Sequence, residues 1–341
     1  MIDSFLRVQY ASCMQKMNPI TVVLFGLTFI LTLATWADES KDASAQSTAK
    51  AAQVAPAAPK FKVSLMSYYY DIQGKKAADS QAYDFDKLNS RIDLMNLTYT
   101  ISPDWTFSVL AQHYEFYTET IFPKFKNTVF EKSNDRTEGL GDTYLTLITP
   151  ITFKNSWLVI GDFGVSLPTG TIRNKSILPG LQDYDLAYNA QHGSGTYDAL
   201  AGLTVMYMQP AFQFGSRLFA DFRTGKNPND YTLGNLYKLD TWFDYPVRYG
   251  FTPRMTGYYR HKEAIKGFDK FRGRIDDDNF YRNAQKDWNV SAALKYQFQF
   301  TNSALSVGAE AGVPFAQGSQ NVDNSDVTTN YYTSINMSGS F

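Results

Sequence analysis

The amino-acid sequence predicts an all-β protein: an up-and-down antiparallel β-barrel of about twelve strands that crosses a membrane. Three observations predict it. From Phe61 onward, apolar and polar residues alternate with period two. The connections between alternating stretches are short and long by turns. After residue 37, no apolar run approaches the ~20 residues that a spanning helix needs.

The alternation is clearest in "DWNVSAALKYQFQF". Trp288, Val290, Ala292, Leu294, Tyr296, Phe298 and Phe300 share one face, and Asn289, Ser291, Lys295, Gln297 and Gln299 lie on the other. In "AFQFGSRLFADFRT", Phe212, Phe214, Leu218, Ala220 and Phe222 oppose Gln213, Arg217, Asp221 and Arg223. In "NLYKLDTWFDYPVRY", Tyr237, Leu239, Phe243, Tyr245, Val247 and Tyr249 oppose Lys238, Asp240, Asp244 and Arg248. The apolar faces carry aromatics near their ends, as the interfacial girdles of membrane barrels do. A water-soluble sandwich also alternates, but it explains neither the girdles nor the rhythm of the loops.

Strands are expected near 61–72, 89–101, 105–116, 140–151, 155–167, 195–207, 212–223, 234–249, 254–264, 287–300, 303–313 and 330–341. The connectors around Pro103, Asn155, Pro210, Pro253 and Asn302 are short. Those around 73–88, 117–139, 168–194, 224–233, 265–286 and 314–329 are long and polar. An even strand number puts both chain ends on the side of the short turns, the periplasmic side of such a barrel. The sheet has to close, because lipid offers no partner to a free edge. The last strand must therefore pair with the first.

The N-terminal stretch precedes this pattern. Lys16, an apolar run from Ile20 to Leu33 and small residues up to Ala37 match a secretory signal. At roughly 14 residues the run is short for a spanning helix. Residues 1–37 are read as a signal peptide, with Met14 and Met17 as alternative starts. Residues 38–60, rich in Ala, Ser, Gln and Pro, are read as a flexible periplasmic linker, and 61–341 as the barrel.

Composition narrows the function. The net charge of -1 over 341 residues gives no electrostatic reason for a nucleic-acid partner. The single cysteine, Cys13, lies in the signal region, so no disulfide framework is expected. His113, His192 and His261 are far apart and show no metal-ligand spacing, so neither metal nor cofactor is expected.

The polar positions of the strands carry many charges. Arg91, Asp93, Asp142, Asp162, Asp198, Arg217, Asp221, Arg223, Lys238, Asp240, Asp244, Arg248, Arg254, Arg260, Lys262, Lys295 and Glu310 are read as lumen-lining candidates. Two readings stand. Opposite charges cross-link and fill the lumen, since buried charges require partners. Or they line a watery path and tune what passes. Twelve strands fall between filled eight-stranded barrels and open sixteen-stranded porins. The Gly170–Gly195 loop either folds inward as a constriction or covers the outer face.

One stretch is more specific than periodicity. "EGLGDTYLTLITPI" is followed by "GDFGVSLPTG" and then "GSGTYDALAGLTV". The order of Gly139, Gly141 and Asp142, then Pro168, Thr169 and Gly170, then Gly193, Gly195 and Asp198 resembles the outer-membrane barrel family named for the meta-pathway of phenol degradation. The resemblance covers residues 138–205, and the rest follows in strand rhythm only. It implies a transporter-like conduit in the outer membrane of a Gram-negative bacterium, for small molecules that include hydrophobic or aromatic compounds, and not an enzyme. The glycines also have a plain physical reading, as bends at strand ends.

Two alternatives belong to other classes. A barrel-embedded lipid hydrolase would use His261 on the lipid side near the outer rim, although no nucleophile motif accompanies it. A structural or adhesive surface barrel would bind partners through its loops.

The chain closes on "YYTSINMSGSF". Phe341, Gly339, Met337, Ile335, Thr333 and Tyr331 share a face suited to lipid. Phe341, Gly339 and Met337 are read as the signal to the barrel assembly machinery. Outer-membrane lipids are the other expected partner.

Overall fold

The structure, a computed structural model, describes residues 61–74, 84–122, 131–175, 188, 191–247, 250–270, 284–300, 303–319 and 327–340. The expected signal peptide and linker, Arg248 and Phe341 lie outside the described residues.

Thirteen strands form one antiparallel sheet. They are β1 (Phe61–Gly74), β2 (Asp84–Ser102), β3 (Trp105–Phe122), β4 (Glu131–Leu140) and β5 (Thr143–Lys154). Next come β6 (Trp157–Leu167), β7 (Asp198–Met208), β8 (Gln213–Arg223), β10 (Leu236–Asp244) and β11 (Phe251–Lys262). The last are β13 (Gln285–Gln299), β14 (Ala304–Ser319) and β15 (Val327–Ser340). A separate two-stranded ladder joins β9 (Tyr231–Thr232) to β12 (Lys266–Gly267). β4 and β5 pair in succession with β3, so they form one wall strand, and the sheet is a barrel of twelve.

The sheet closes where the termini meet. β1 pairs with β15 from Lys62↔Ser340 through Asp71↔Tyr331. Consecutive strands pair along the chain everywhere else in the wall, which is the up-and-down order. Closure removes the free edges at the first and last strands, the condition a bilayer imposes.

Period-two alternation sets the two surfaces. Phe163, Leu203, Leu218, Met255, Val290, Ile335 and Met337 stand outward and exposed, as a lipid-facing band. In register, Met337 meets Leu65 and Val307, and Gly339 meets Val63 and Leu305. Both lie on the lipid face assigned from sequence.

The short turns fall at one end. Asn155 and Ser156 both have positive φ, 51° and 69°, which is how a two-residue turn matches the twist of its strands. One expected turn is displaced. Pro253 lies inside β11, and the described turn residues are 245–247 and Gly250. The Pro253 carbonyl accepts from the Tyr245 amide at 3.0 Å, so its nitrogen points the same way, past the end of β10. The missing N–H there interrupts no ladder. Tyr245 and Val247, expected on β10, belong to this turn.

At the other end the strands outrun their expected length. The 117–139 region, expected as a loop, is mostly the β3–β4 hairpin, paired from Phe122↔Glu131 to His113↔Leu140. One extra residue separates that register from the β3–β5 register, which begins at Leu110↔Tyr144. Gly141 and Asp142 therefore form a bulge. It re-aims the strand: Leu140 faces out, and Asp142 faces in.

Candidate functional site

The inward parity lines a cavity of about 1860 Å³. Its lining runs from Lys62 and Ser340 at the short-turn end to His192, Lys262 and Gln285 at the long-loop end.

Two chemistries divide the wall. The inner side of β1, β2 and β3 is mainly apolar and aromatic, with Met66, Tyr68, Tyr70, Ile92, Leu94, Leu110, Tyr114 and Phe116 beside Lys62, Ser64, Ser90 and Gln112. The inner side of β8 to β14 is charged: Arg217, Arg223, Lys238, Asp240, Asp244, Arg254, Arg260, Lys262, Asp287, Lys295 and Glu310. Tyr332 on β15 joins the two. It stacks on Tyr70 at 5.6 Å and meets Tyr258 of β11 edge-on at 5.8 Å.

Most lumen carboxylates are held by arginines. Arg254 grips Asp244 through two bonds, Nε to Oδ1 at 2.5 Å and Nη2 to Oδ2 at 2.6 Å. Arg217 Nη2 donates to Asp162 Oδ2 at 2.9 Å. Arg223 spans two carboxylates, bonding Asp198 and reaching Asp221 at 3.1 Å. Arg260 Nε donates to Asp287 at 2.8 Å. Glu310 accepts from Ser291 Oγ at 2.5 Å and Tyr332 Oη at 3.1 Å. Asp198 and Asp221 are fully buried, so their arginine is what makes their ionised form tolerable. The cross-linking reading thus describes the arginine–carboxylate pairs. Lys238, Lys262 and Lys295 differ: they line the cavity and, among the described residues, make no ion pair within 4.0 Å.

Two candidates are misplaced. Arg91 and Asp93 stand on the parity of Met95 and Tyr99, which is the outside of the barrel. There Arg91 Nε donates to Asp93 at 3.1 Å, and His113 lies 3.8 Å from the same carboxylate. Arg136 contacts Glu115 at 2.8 Å and Glu138 at 3.0 Å on the same outer surface. These positions lie toward the long-loop end, beyond the apolar band, where outward charge is hydrated. Charge without parity was the wrong guide.

The sequence reading missed Asp287 and the whole aromatic side. Its signal was available: Tyr68 and Tyr70 share parity with Ser64 and Lys62, while Leu65 and Phe61 take the lipid face.

At the long-loop end the three motif segments meet. Asp142, buried at the bulge, accepts from the Gly170 amide at 3.1 Å and the Ser194 amide at 2.7 Å. Thr169 Oγ1 donates to the Gly141 carbonyl at 2.8 Å. Gln112 braces the bulge, donating to the Asp142 carbonyl at 2.9 Å and accepting the Gly141 amide at 2.8 Å. Gly170 and Gly193 touch backbone to backbone: a Cβ on Gly170 would stand 2.6 Å from the Gly193 Cα. Only glycine permits that approach.

This knot turns the described part of the 168–197 loop inward. His192 sits inside the barrel, its ring against Tyr114 (6.1 Å, 9° between planes) and Phe116 (5.6 Å, 26°). The residue is buried, and neither ring nitrogen has a partner among the described residues. Burial, with a smaller contribution from His113, lowers its pKa to about 4. At neutral pH the ring is an uncharged aromatic plate.

Neighbouring loops knit over it. Asn227 Nδ2 donates to the Ser194 carbonyl at 3.0 Å. Asn229 Nδ2 donates to the Ile172 carbonyl at 3.2 Å and to Asp269 Oδ2 at 2.9 Å. Tyr188, Ile265 and Tyr231 of the β9–β12 ladder form a small buried cluster.

No family model and no curated protein matches the sequence. Among solved structures, the chain is similar to an outer-membrane channel from Pseudomonas putida F1, with a TM-score of 0.55 and 12% identity over 84% of this chain and 97% of that one. Looser likenesses are to the P. putida toluene transporter TodX (TM-score 0.44, 9% identity, 84% and 91% covered) and a Pseudomonas aeruginosa FadL homologue (TM-score 0.42, 11% identity, 83% and 90% covered). The first likeness, at 12% identity, is one of fold: the two chains share an antiparallel β-barrel.

Proposed function

We propose that the protein is a passive channel or transporter for small molecules, hydrophobic or aromatic compounds among them, in the outer membrane of a Gram-negative bacterium. The observation that carries the reading is the cavity of about 1860 Å³ lined from Lys62 at one end of the barrel to Lys262 at the other. Its aromatic side suits apolar solutes and its charged side keeps water inside. The fold shared with the Pseudomonas putida F1 channel supports the reading. So does the resemblance to the meta-pathway barrel family. A signal peptide ending near Ala37 would export the chain, and Phe341, Gly339 and Met337 would present it to the barrel assembly machinery.

The competing readings draw less support. His261 does face outward, but its Nδ1 donates to the Gln285 carbonyl at 3.2 Å and its ring stacks on Tyr237, which is a structural engagement. A loop-borne adhesin would present free loop tips, whereas the described parts of 168–197, 224–235 and 263–270 bind one another.

Purified protein reconstituted in a planar bilayer should give discrete conductance steps in potassium chloride. Absence of any conductance from correctly folded barrel would count against the reading.

A further inference from the structure

Two lumen lysines bracket an arginine beside a ladder of tyrosines. In register, Lys238 of β10 stands opposite Arg260 of β11, and Lys262 is the next inward residue along β11. Arg260 has Asp287 as its partner. Lys238 and Lys262 have neither an ion pair within 4.0 Å nor a hydrogen bond among the described residues. Asp240, the inward residue next to Lys238 on the side away from Leu236, is the other carboxylate on these two strands near the cluster. On β8, Arg217 stands opposite Asp240 and Arg223 holds Asp221, so Lys238 and Lys262 are the cations of this cluster left without an ion pair among the described residues.

The tyrosines begin where the cations end. Tyr258 is the inward residue next to Arg260 on β11. From Tyr258 the rings continue to Tyr332 at 5.8 Å, to Tyr70 at 5.6 Å and to Tyr68 at 6.1 Å. A run of tyrosine rings therefore adjoins two lysines without an ion pair inside one cavity.

We infer that the cavity recognises small aromatic carboxylates. This rests on the channel reading and names its substrate class. An aryl ring laid on the tyrosine ladder gains stacking and area burial. Its carboxylate then reaches Lys238 and Lys262, whose ammonium groups otherwise lose water to the solute without compensation. A neutral aromatic leaves those charges uncompensated. Acetate satisfies them but leaves the ladder uncovered. Both parts are required, so the preference is for the combination.

The test is a bi-ionic reversal potential on the full-length protein in planar bilayers, with sodium benzoate against sodium acetate at pH 7.5. Free diffusion favours the smaller acetate. The inference predicts that benzoate permeates better than acetate. In Lys238→Gln/Lys262→Gln the benzoate preference should fall about threefold or more, the scale of a partly exposed charge contact. Tyr70→Leu should lower it while sparing acetate permeation. Arg91→Gln, on the outer surface, should leave the ratio unchanged. Heat-modifiable gel mobility confirms that each variant is a folded barrel. Potassium chloride conductance is recorded first on every preparation. Conductance with a benzoate-to-acetate ratio at or below one overturns the inference and leaves the channel reading standing. So does an unchanged ratio in the folded double-lysine variant. Loss of all conductance in folded wild-type protein overturns both.

Discussion

Asp142 Oδ2 lies 2.7 Å from the backbone nitrogen of Ser194, and through that bond the barrel wall holds its own loop inside the lumen. The other carboxylate oxygen takes the Gly170 amide at 3.1 Å, so one side chain pins both ends of the 168–197 segment. Asp142→Ala leaves two amides without their acceptor in a buried place, at a cost of about 2–4 kcal/mol. The expected outcome is a loosened loop and a larger single-channel conductance than wild type. An unchanged conductance from Asp142→Ala would show that the loop holds its place without the carboxylate.

Gly170→Ala tests the backbone contact beside it. The new methyl would stand 2.6 Å from the Gly193 Cα, closer than the two chains can accept. The variant should displace the loop as Asp142→Ala does, with lower thermal stability and faster proteolysis of the 168–197 segment. Proteolysis at the wild-type rate would contradict the close packing.

The pH dependence follows from His192. Its pKa, about 4 in the slot between Tyr114 and Phe116, is depressed from the ordinary 6.5 because burial opposes the charged form. A depressed histidine pKa means the inward loop is fully stable above pH 6.5 and loses stability as pH falls from 6.5 toward 4. The total change in the closing equilibrium is on the order of a hundredfold. Conductance should therefore rise on acidification across that window, and His192→Phe, which keeps the plate and removes the titration, should abolish the rise. An identical acid response in His192→Phe would assign it to another group.

The C-terminal strand carries an assembly prediction. Met337 and Gly339 sit on the lipid face in register with both neighbours, as the alternation up to Phe341 requires. Phe341→Ser should reduce the folded, heat-modifiable fraction in cells, while the barrel that does form conducts normally. Full assembly of the variant would refute the signal role.

Much of this architecture was legible because a membrane barrel has few degrees of freedom. Parity, closure and the alternation of short and long connections located every wall strand, including the lipid faces of β8, β10 and β13. Beyond the bilayer the constraint lapses. Strands β3 and β4 continue there without the apolar period, so 117–139 read as loop. Arg91 and Asp93 were misassigned for the same reason: outside the apolar band, an outward position is as hydrated as an inward one, and charge no longer reports direction. Met95, Leu97 and Tyr99, further along the strand on the same parity, carried the correct answer. The tyrosine side of the lumen was hidden by the opposite ambiguity, since Tyr68, Tyr69 and Tyr70 run across both faces and an aromatic suits either. The meeting of Asp142, Gly170 and Ser194 was present in the motif order, but the contacts that unite residues so distant in sequence appear only in three dimensions.

The most direct test of the central claim is a single-channel recording of purified, heat-modifiable barrel in a planar bilayer in potassium chloride at pH 7.5. A water-filled path from Lys62 to Lys262 predicts discrete, reproducible conductance steps, and larger steps from Asp142→Ala. A flat trace from folded wild type and folded Asp142→Ala alike would contradict it.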